Sequence, residues 1–75
     1  MGDDFLKAFG DEIRRLRCHN VLSIAGLAEK SGCSTGYIEL IEKGSCNPNL
    51  KTILALSYAL DHRLQVLFES VEKTI

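Results

Sequence analysis

The chain lacks any strong excess of basic residues: nine lysines and arginines stand against ten aspartates and glutamates, for a formal net charge of −1. Bulk charge therefore gives no support for a nucleic-acid partner. No apolar run approaches the length of a bilayer span. Met1 to Gly10 has neither the basic start nor the apolar stretch of a secretory signal, so the cytoplasm is the expected location. There is no CxxC pair, and the cysteines, Cys18, Cys33 and Cys46, are odd in number, which argues against a disulfide framework in that compartment. Together with His19 and His62 they fall into no known zinc-ligand spacing, so no metal is expected. No segment alternates with period two over a useful length, which excludes a sheet. Nor is any nucleophile paired with a base. His19 and His62 fall at expected helix ends, and Glu39 and Glu42, at i and i+3, suit solvation and ion pairing better than proton transfer. The reading is of a protein that is not an enzyme and needs no cofactor.

What the chain does have is concentrated between Leu22 and Gly44. Ser23 is a good N-cap, with Leu27 and Ala28 placed to pack inward. Gly32 supplies the backbone freedom that ends a helix, and Ser34 offers a second cap two residues later. Tyr37, Ile38 and Ile41 then form one apolar stripe, which Gly44 stops. Two short helices joined by a glycine-containing turn are a helix-turn-helix unit.

The flanks supply the rest of a core. Asp3 or Asp4 can cap a first helix, along which Phe5, Phe9, Ile13 and Leu16 make one stripe. Gly10 interrupts it at a cost of about 1 kcal/mol relative to alanine, and a close helix crossing is a plausible reason. Asn20 is expected to break this helix. Ser45 to Asn49 reads as loop, with Cys46 exposed in it, whereas Cys33 is placed to pack between the two central helices. Asn49 caps a fourth helix whose inward stripe is Leu50, Ile53, Leu56 and Leu60. After a break at Asp61-His62-Arg63, Leu64, Leu67, Phe68 and Val71 define a fifth helix that frays near Lys73. Seventy-five residues make one domain, 1–75, close to the smallest size at which a single core suffices. The expected fold is all-α, a compact five-helix domain around a central helix-turn-helix.

Charge is unevenly distributed. Residues 1–12 hold Asp3, Asp4, Asp11 and Glu12 against Lys7, and residues 61–75 are also slightly acidic. A modest basic excess, from Arg14, Arg15, Arg17, Lys30, Lys43 and Lys51 against three glutamates, coincides with the helix-turn-helix.

In order and spacing, Ile13-Arg14-x-Leu16-Arg17, Leu22-Ser23, Leu27-Ala28, Gly32-Cys33-Ser34, Tyr37-Ile38-x-x-Ile41-Glu42-x-Gly44, Pro48 and Leu56-x-x-x-Leu60 resemble the Cro/C1-type (XRE-like) helix-turn-helix regulators, over about residues 9–68. That family includes phage repressors, restriction-modification controllers and many antitoxins, and its fold is the lambda repressor-like one. The resemblance implies a DNA-binding transcriptional regulator whose third helix, about 34–43, lies in the major groove of double-stranded DNA. It implies base contacts by Thr35, Gly36, Glu39 and Leu40, and phosphate contacts by Ser34, Lys43, Ser45, Asn47 and Lys51, with Arg15 a further candidate. It also implies that Arg17 and Glu42 form a structural ion pair tying the first helix to the third.

The chain departs from its relatives at the reading surface. Ile24 stands where many carry a phosphate-binding glutamine. Thr35, Gly36 and Leu40 replace the longer polar side chains that pair bidentately with bases. Glu39 can accept from a cytosine amino group but repels phosphate. Two readings follow: a sequence-specific regulator acting as a homodimer on a two-fold site, or a protein-interaction module with weak or no DNA binding. Leu54, Tyr58, Val66 and Ile75, off the core stripes, are the candidate dimer patch. No second domain for a small-molecule effector is expected, and no membrane partner.

Overall fold

Periodicity and caps translate into five consecutive helices: α1 (Gly2–His19), α2 (Ile24–Ser31), α3 (Thr35–Lys43), α4 (Leu50–Ala59) and α5 (Leu64–Thr74). The computed structural model describes the backbone of residues 2–74 and the side chains of 4–63 and 65–73, and no strand occurs among the described residues. α1 packs on α3 and α5, while α2 packs on α3 and α4. Phe9, Ile13 and Leu16 of α1, Leu27 of α2, Ile38 and Ile41 of α3, Leu56 and Leu60, and Leu67 and Val71 of α5 are all buried in one core. Phe68 is half-buried and stacks on Phe5 and Phe9, with ring centroids 6.2 and 6.3 Å apart.

The caps expected for α2, α3 and α4 form. The Ser23 hydroxyl accepts from the Gly26 N–H at 2.9 Å, Ser34 from Tyr37 at 3.2 Å, and Asn49 from Thr52 at 2.8 Å. Caps of this kind are worth about 1 kcal/mol apiece. Gly44 ends α3 at φ 73°, and a Cβ there would lie 2.8 Å from the Lys7 Cα. At Gly10 the crowding is tighter still: a Cβ would meet the Ile41 carbonyl oxygen at 2.2 Å and that of Glu42 at 2.8 Å. The expected close crossing is therefore real, and it sets the depth at which α3 sits on α1.

Several local expectations need correction. α1 is already helical at Gly2, so Asp4 lies within its first turn and does not cap it; the Asp3 side chain is outside the described set. α1 does end at His19, but the reversal is made by Val21 at φ 56°, not by Asn20. The Asn20 amide is occupied elsewhere, donating to the Leu16 carbonyl at 2.8 Å and the Leu60 carbonyl at 3.3 Å. Leu50, assigned to the core stripe, is 68% exposed. The inward face of α4 instead runs through Ile53, Leu56, Ser57 and Leu60, and the buried Ser57 hydroxyl is satisfied by donating to the Leu54 carbonyl at 2.7 Å. Cys46 is half-buried against the core, not exposed, and burial pushes its thiol pKa up. Cys33 is half-buried on the same core, as a small packing residue would be. α5 ends at Thr74, next to the expected Lys73, and the Leu64 side chain lies outside the described residues.

Candidate nucleic-acid interface

α3 has two unlike sides. Ile38 and Ile41 point into the core with Tyr37 half-buried beside them, while Thr35, Gly36, Glu39, Leu40 and Lys43 are all exposed. Nothing lies within 4 Å of where a Gly36 Cβ would stand, so bare backbone faces solvent there. Leu40 is 45% exposed and offers only methyl groups. Ser34, at the head of the helix, uses its oxygen as the cap, yet its hydroxyl hydrogen remains available to an acceptor.

The attachment of α3 rests on Arg17 and Glu42, which the structure brings together. Arg17 Nε donates to Glu42 Oε2 at 2.6 Å and Nη2 to Oε1 at 3.2 Å, a fork-to-fork pair. Its Nη1 donates to the Leu22 carbonyl at 2.9 Å, so one guanidinium holds α1, the α1–α2 turn and α3. The two side chains are only 13% and 8% exposed. Hydrogen bonding to Glu42 raises the Arg17 pKa further. With all three of its nitrogens donating inside the protein, Arg17 ties these elements together.

A shallow groove opens where α1, α2 and α3 meet, lined by Arg14, Arg17, Ile24, Glu39, Glu42 and Lys43. Glu39, grouped by sequence with Thr35, Gly36 and Leu40, thus shares a groove with three cations at the edge of that group. Ile24 turns its side chain into the same groove and packs on the core. Arg14, which the sequence motif does not single out as a contact, also lines this groove. The signal was present: Gly10, Arg14 and Arg17 stand at i, i+4 and i+7, one helical face, and Gly10 marks that face as the one against α3.

Arg15 is placed differently. Its Nε and Nη2 donate to Glu12 at 2.9 and 2.6 Å. Glu12 also receives a hydrogen bond from Ser70 of α5, and Arg15 first, with Ser70 and the charge of His62 adding to it, holds its carboxyl below the usual range. Arg15 therefore belongs to the α1–α5 side of the molecule. Ser45, Asn47 and Lys51 are exposed along the loop after α3 and the first turn of α4. On the far corner, exposed Leu54 and Tyr58 border a hollow with Asp61, His62 and Arg63, and Val66 is exposed on α5; Ile75 lies outside the described residues. Among the described residues no three His, Cys, Asp or Glu side chains gather closely enough to hold a metal, and no helix is long and apolar enough to cross a membrane.

A family model for a helix-turn-helix domain matches residues 8–62. Among solved structures, the chain is similar to the restriction-modification controller protein C.AhdI from Aeromonas hydrophila. The two share 40% identity over 84% of this chain and 96% of that one, with a TM-score of 0.82. It is similar, at 26% identity and a TM-score of 0.85, to a point mutant of the restriction-modification controller protein C.Esp1396I, over 92% of this chain and 87% of that one. The clp gene regulator ClgR from Corynebacterium glutamicum shares the fold, with a TM-score of 0.88 at 22% identity over 92% of this chain and 73% of that one. No curated protein sequence gives a significant match.

Proposed function

The chain belongs to the Cro/C1-type (XRE-like) helix-turn-helix regulators, and on that premise we propose that it is a sequence-specific, double-stranded DNA-binding transcriptional regulator acting as a homodimer. The observation that carries this reading is the mounting of α3. One side is locked to α1 through Gly10 and the Arg17–Glu42 pair, and the other is an uncovered face of Thr35, Gly36, Glu39 and Leu40. A rigid, half-uncovered helix is what the major groove accepts. Thr35, Gly36, Glu39 and Leu40 meet base edges in this reading, while Ser34, Lys43, Ser45, Asn47 and Lys51 meet phosphates. Leu40 suits a thymine methyl, and the bare backbone at Gly36 lets a base edge approach closely. With few side chains able to make paired hydrogen bonds, DNA shape carries part of the specificity. The 40% identity with C.AhdI favours a restriction-modification controller over a phage repressor or an antitoxin.

Two copies are needed because a single module buries little DNA, and a dimer on half-sites about one helical turn apart multiplies both affinity and specificity. The exposed Leu54, Tyr58 and Val66 corner is the proposed contact between copies. One observation favours a second reading, a protein-interaction module: Ile24 and Gly36 put no polar side chain where the reading surface needs one. Duplex binding measured against salt separates the two. Under the DNA reading, affinity falls steeply as salt rises, because phosphate contacts release counterions. Absence of binding to a random duplex pool even at low salt hands the protein to the second reading. Selection from a random duplex library then returns the operator, and sedimentation of the free protein gives its oligomeric state.

A further inference from the structure

The groove between α1, α2 and α3 contains two guanidinium or ammonium groups that no carboxylate has claimed. Among the described residues the ion pairs are Arg15–Glu12 and Arg17–Glu42 alone, which leaves Arg14 and Lys43 unpaired on opposite walls of the groove. Both are exposed. Arg17, between them in the groove floor, is spent on Glu42 and the Leu22 carbonyl, and Ile24 contributes only hydrocarbon. The groove therefore holds two unpaired cations, among the described residues, on two helices whose backbones are held together at Gly10.

We propose that Arg14 and Lys43 form a phosphate clamp at this groove, so that Arg14, and not Arg15, is the α1 contact to DNA. The proposal rests on the reading that α3 enters the major groove. In that position the duplex backbone flanks α3, and a phosphate beside its α1 edge comes within reach of both cations. Arginine offers a planar pair of donors to the phosphate oxygens, and lysine a compact charge. Glu39 lies on the same groove wall as Lys43, so its carboxylate opposes a phosphate held there and keeps sequence-independent binding weak. Arg15 is excluded from the role by its two bonds to Glu12 and by its place on the α5 side of α1.

The test is the binding of a random-sequence duplex of about 20 base pairs by fluorescence anisotropy across a salt series. For wild type, the logarithm of affinity falls linearly with the logarithm of salt concentration. Arg14→Ala and Lys43→Ala each make that slope shallower by about 0.9 and weaken binding about three- to tenfold near 0.1 M salt. Arg14→Lys keeps the wild-type slope, and Arg15→Ala changes neither quantity. Thermal melts of the same proteins read the fold independently of the DNA. If Arg14→Ala keeps the wild-type slope while Lys43→Ala loses it, the clamp is overturned and the DNA reading survives. If Arg15→Ala flattens the slope as much as Arg14→Ala, the assignment to Arg14 is wrong. If wild type shows no salt-dependent binding, clamp and DNA reading fall together.

Discussion

The two sides of α3 are built on opposite terms. Toward α1, the backbone carbonyls of Ile41 and Glu42 press on Gly10 so closely that no β-carbon fits, Ile38 and Ile41 are sealed in the core, and a nearly buried ion pair closes the edge. Toward solvent, a Cβ at Gly36 would meet nothing within 4 Å and Leu40 stands half in water. Stability is concentrated on one side, and under the proposed DNA reading recognition is left to the other. Changes on the outer face should therefore alter what is bound without altering whether the chain folds, and changes on the inner face should do the reverse.

That contrast breaks most sharply at the glycines. Gly10→Ala drives a methyl group into two helix carbonyls, neither of which can move without breaking the crossing, and should cost about 3 kcal/mol or more, close to loss of folding. Circular dichroism melts would show it, and a melting temperature near wild type would mean that the crossing is looser than described. Arg17→Ala should cost about 3 kcal/mol, because Glu42 is left charged with little access to water. The companion Arg15→Ala removes a pair whose arginine side chain is 61% exposed and leaves Glu12 its Ser70 hydrogen bond, so it should stay within about 0.5 kcal/mol in urea titrations. Equal small losses in both would remove the scaffold role of Arg17.

Gly36→Ala goes in the other direction. Its site is open and helical, so a methyl group adds helix propensity and should stabilise the fold by about 0.5–1 kcal/mol. A destabilised Gly36→Ala protein would show that the outer face is not as open as it looks. The smallest effect is titrational. The Glu12 carboxyl is held below its ordinary 4.5, so what it contributes is present above that value and lost as pH falls through the lower folded pKa. Glu12→Gln should melt slightly below wild type at neutral pH and converge with it in acid; a gap that stays constant down to pH 3 would count against the Arg15 and Ser70 bonds.

Local chemistry made much of this legible from residues alone. Ser23, Ser34 and Asn49 cap through contacts three residues away, and Gly32 and Gly44 end helices by their own backbone, so neither feature needs tertiary information. Leu50 was misplaced because α4 is apolar nearly all round, which leaves the direction of its inward face undetermined until Ile53, Leu56 and Ser57 are seen packed. Val21 takes the left-handed turn that Asn20 suits better because the Asn20 amide is committed to a contact forty residues away, invisible to any local rule. Three arginines within four positions gave no phase for α1 by themselves. Only when Gly10 fixes which side meets α3 do Arg14, Arg15 and Arg17 separate into groove, outer pair and scaffold.

That carboxamide of Asn20 has a mechanical consequence. It spans from the last turn of α1 to the carbonyl at the end of α4, stitching the helix that anchors α3 to the bend between α4 and α5 that carries His62. A twist applied at that bend, such as a second protomer pressing on it, reaches the guanidinium of Arg17 through less than one helical turn of backbone. The end of α4 and the helix that anchors α3 are thus hydrogen-bonded to each other through a single side chain.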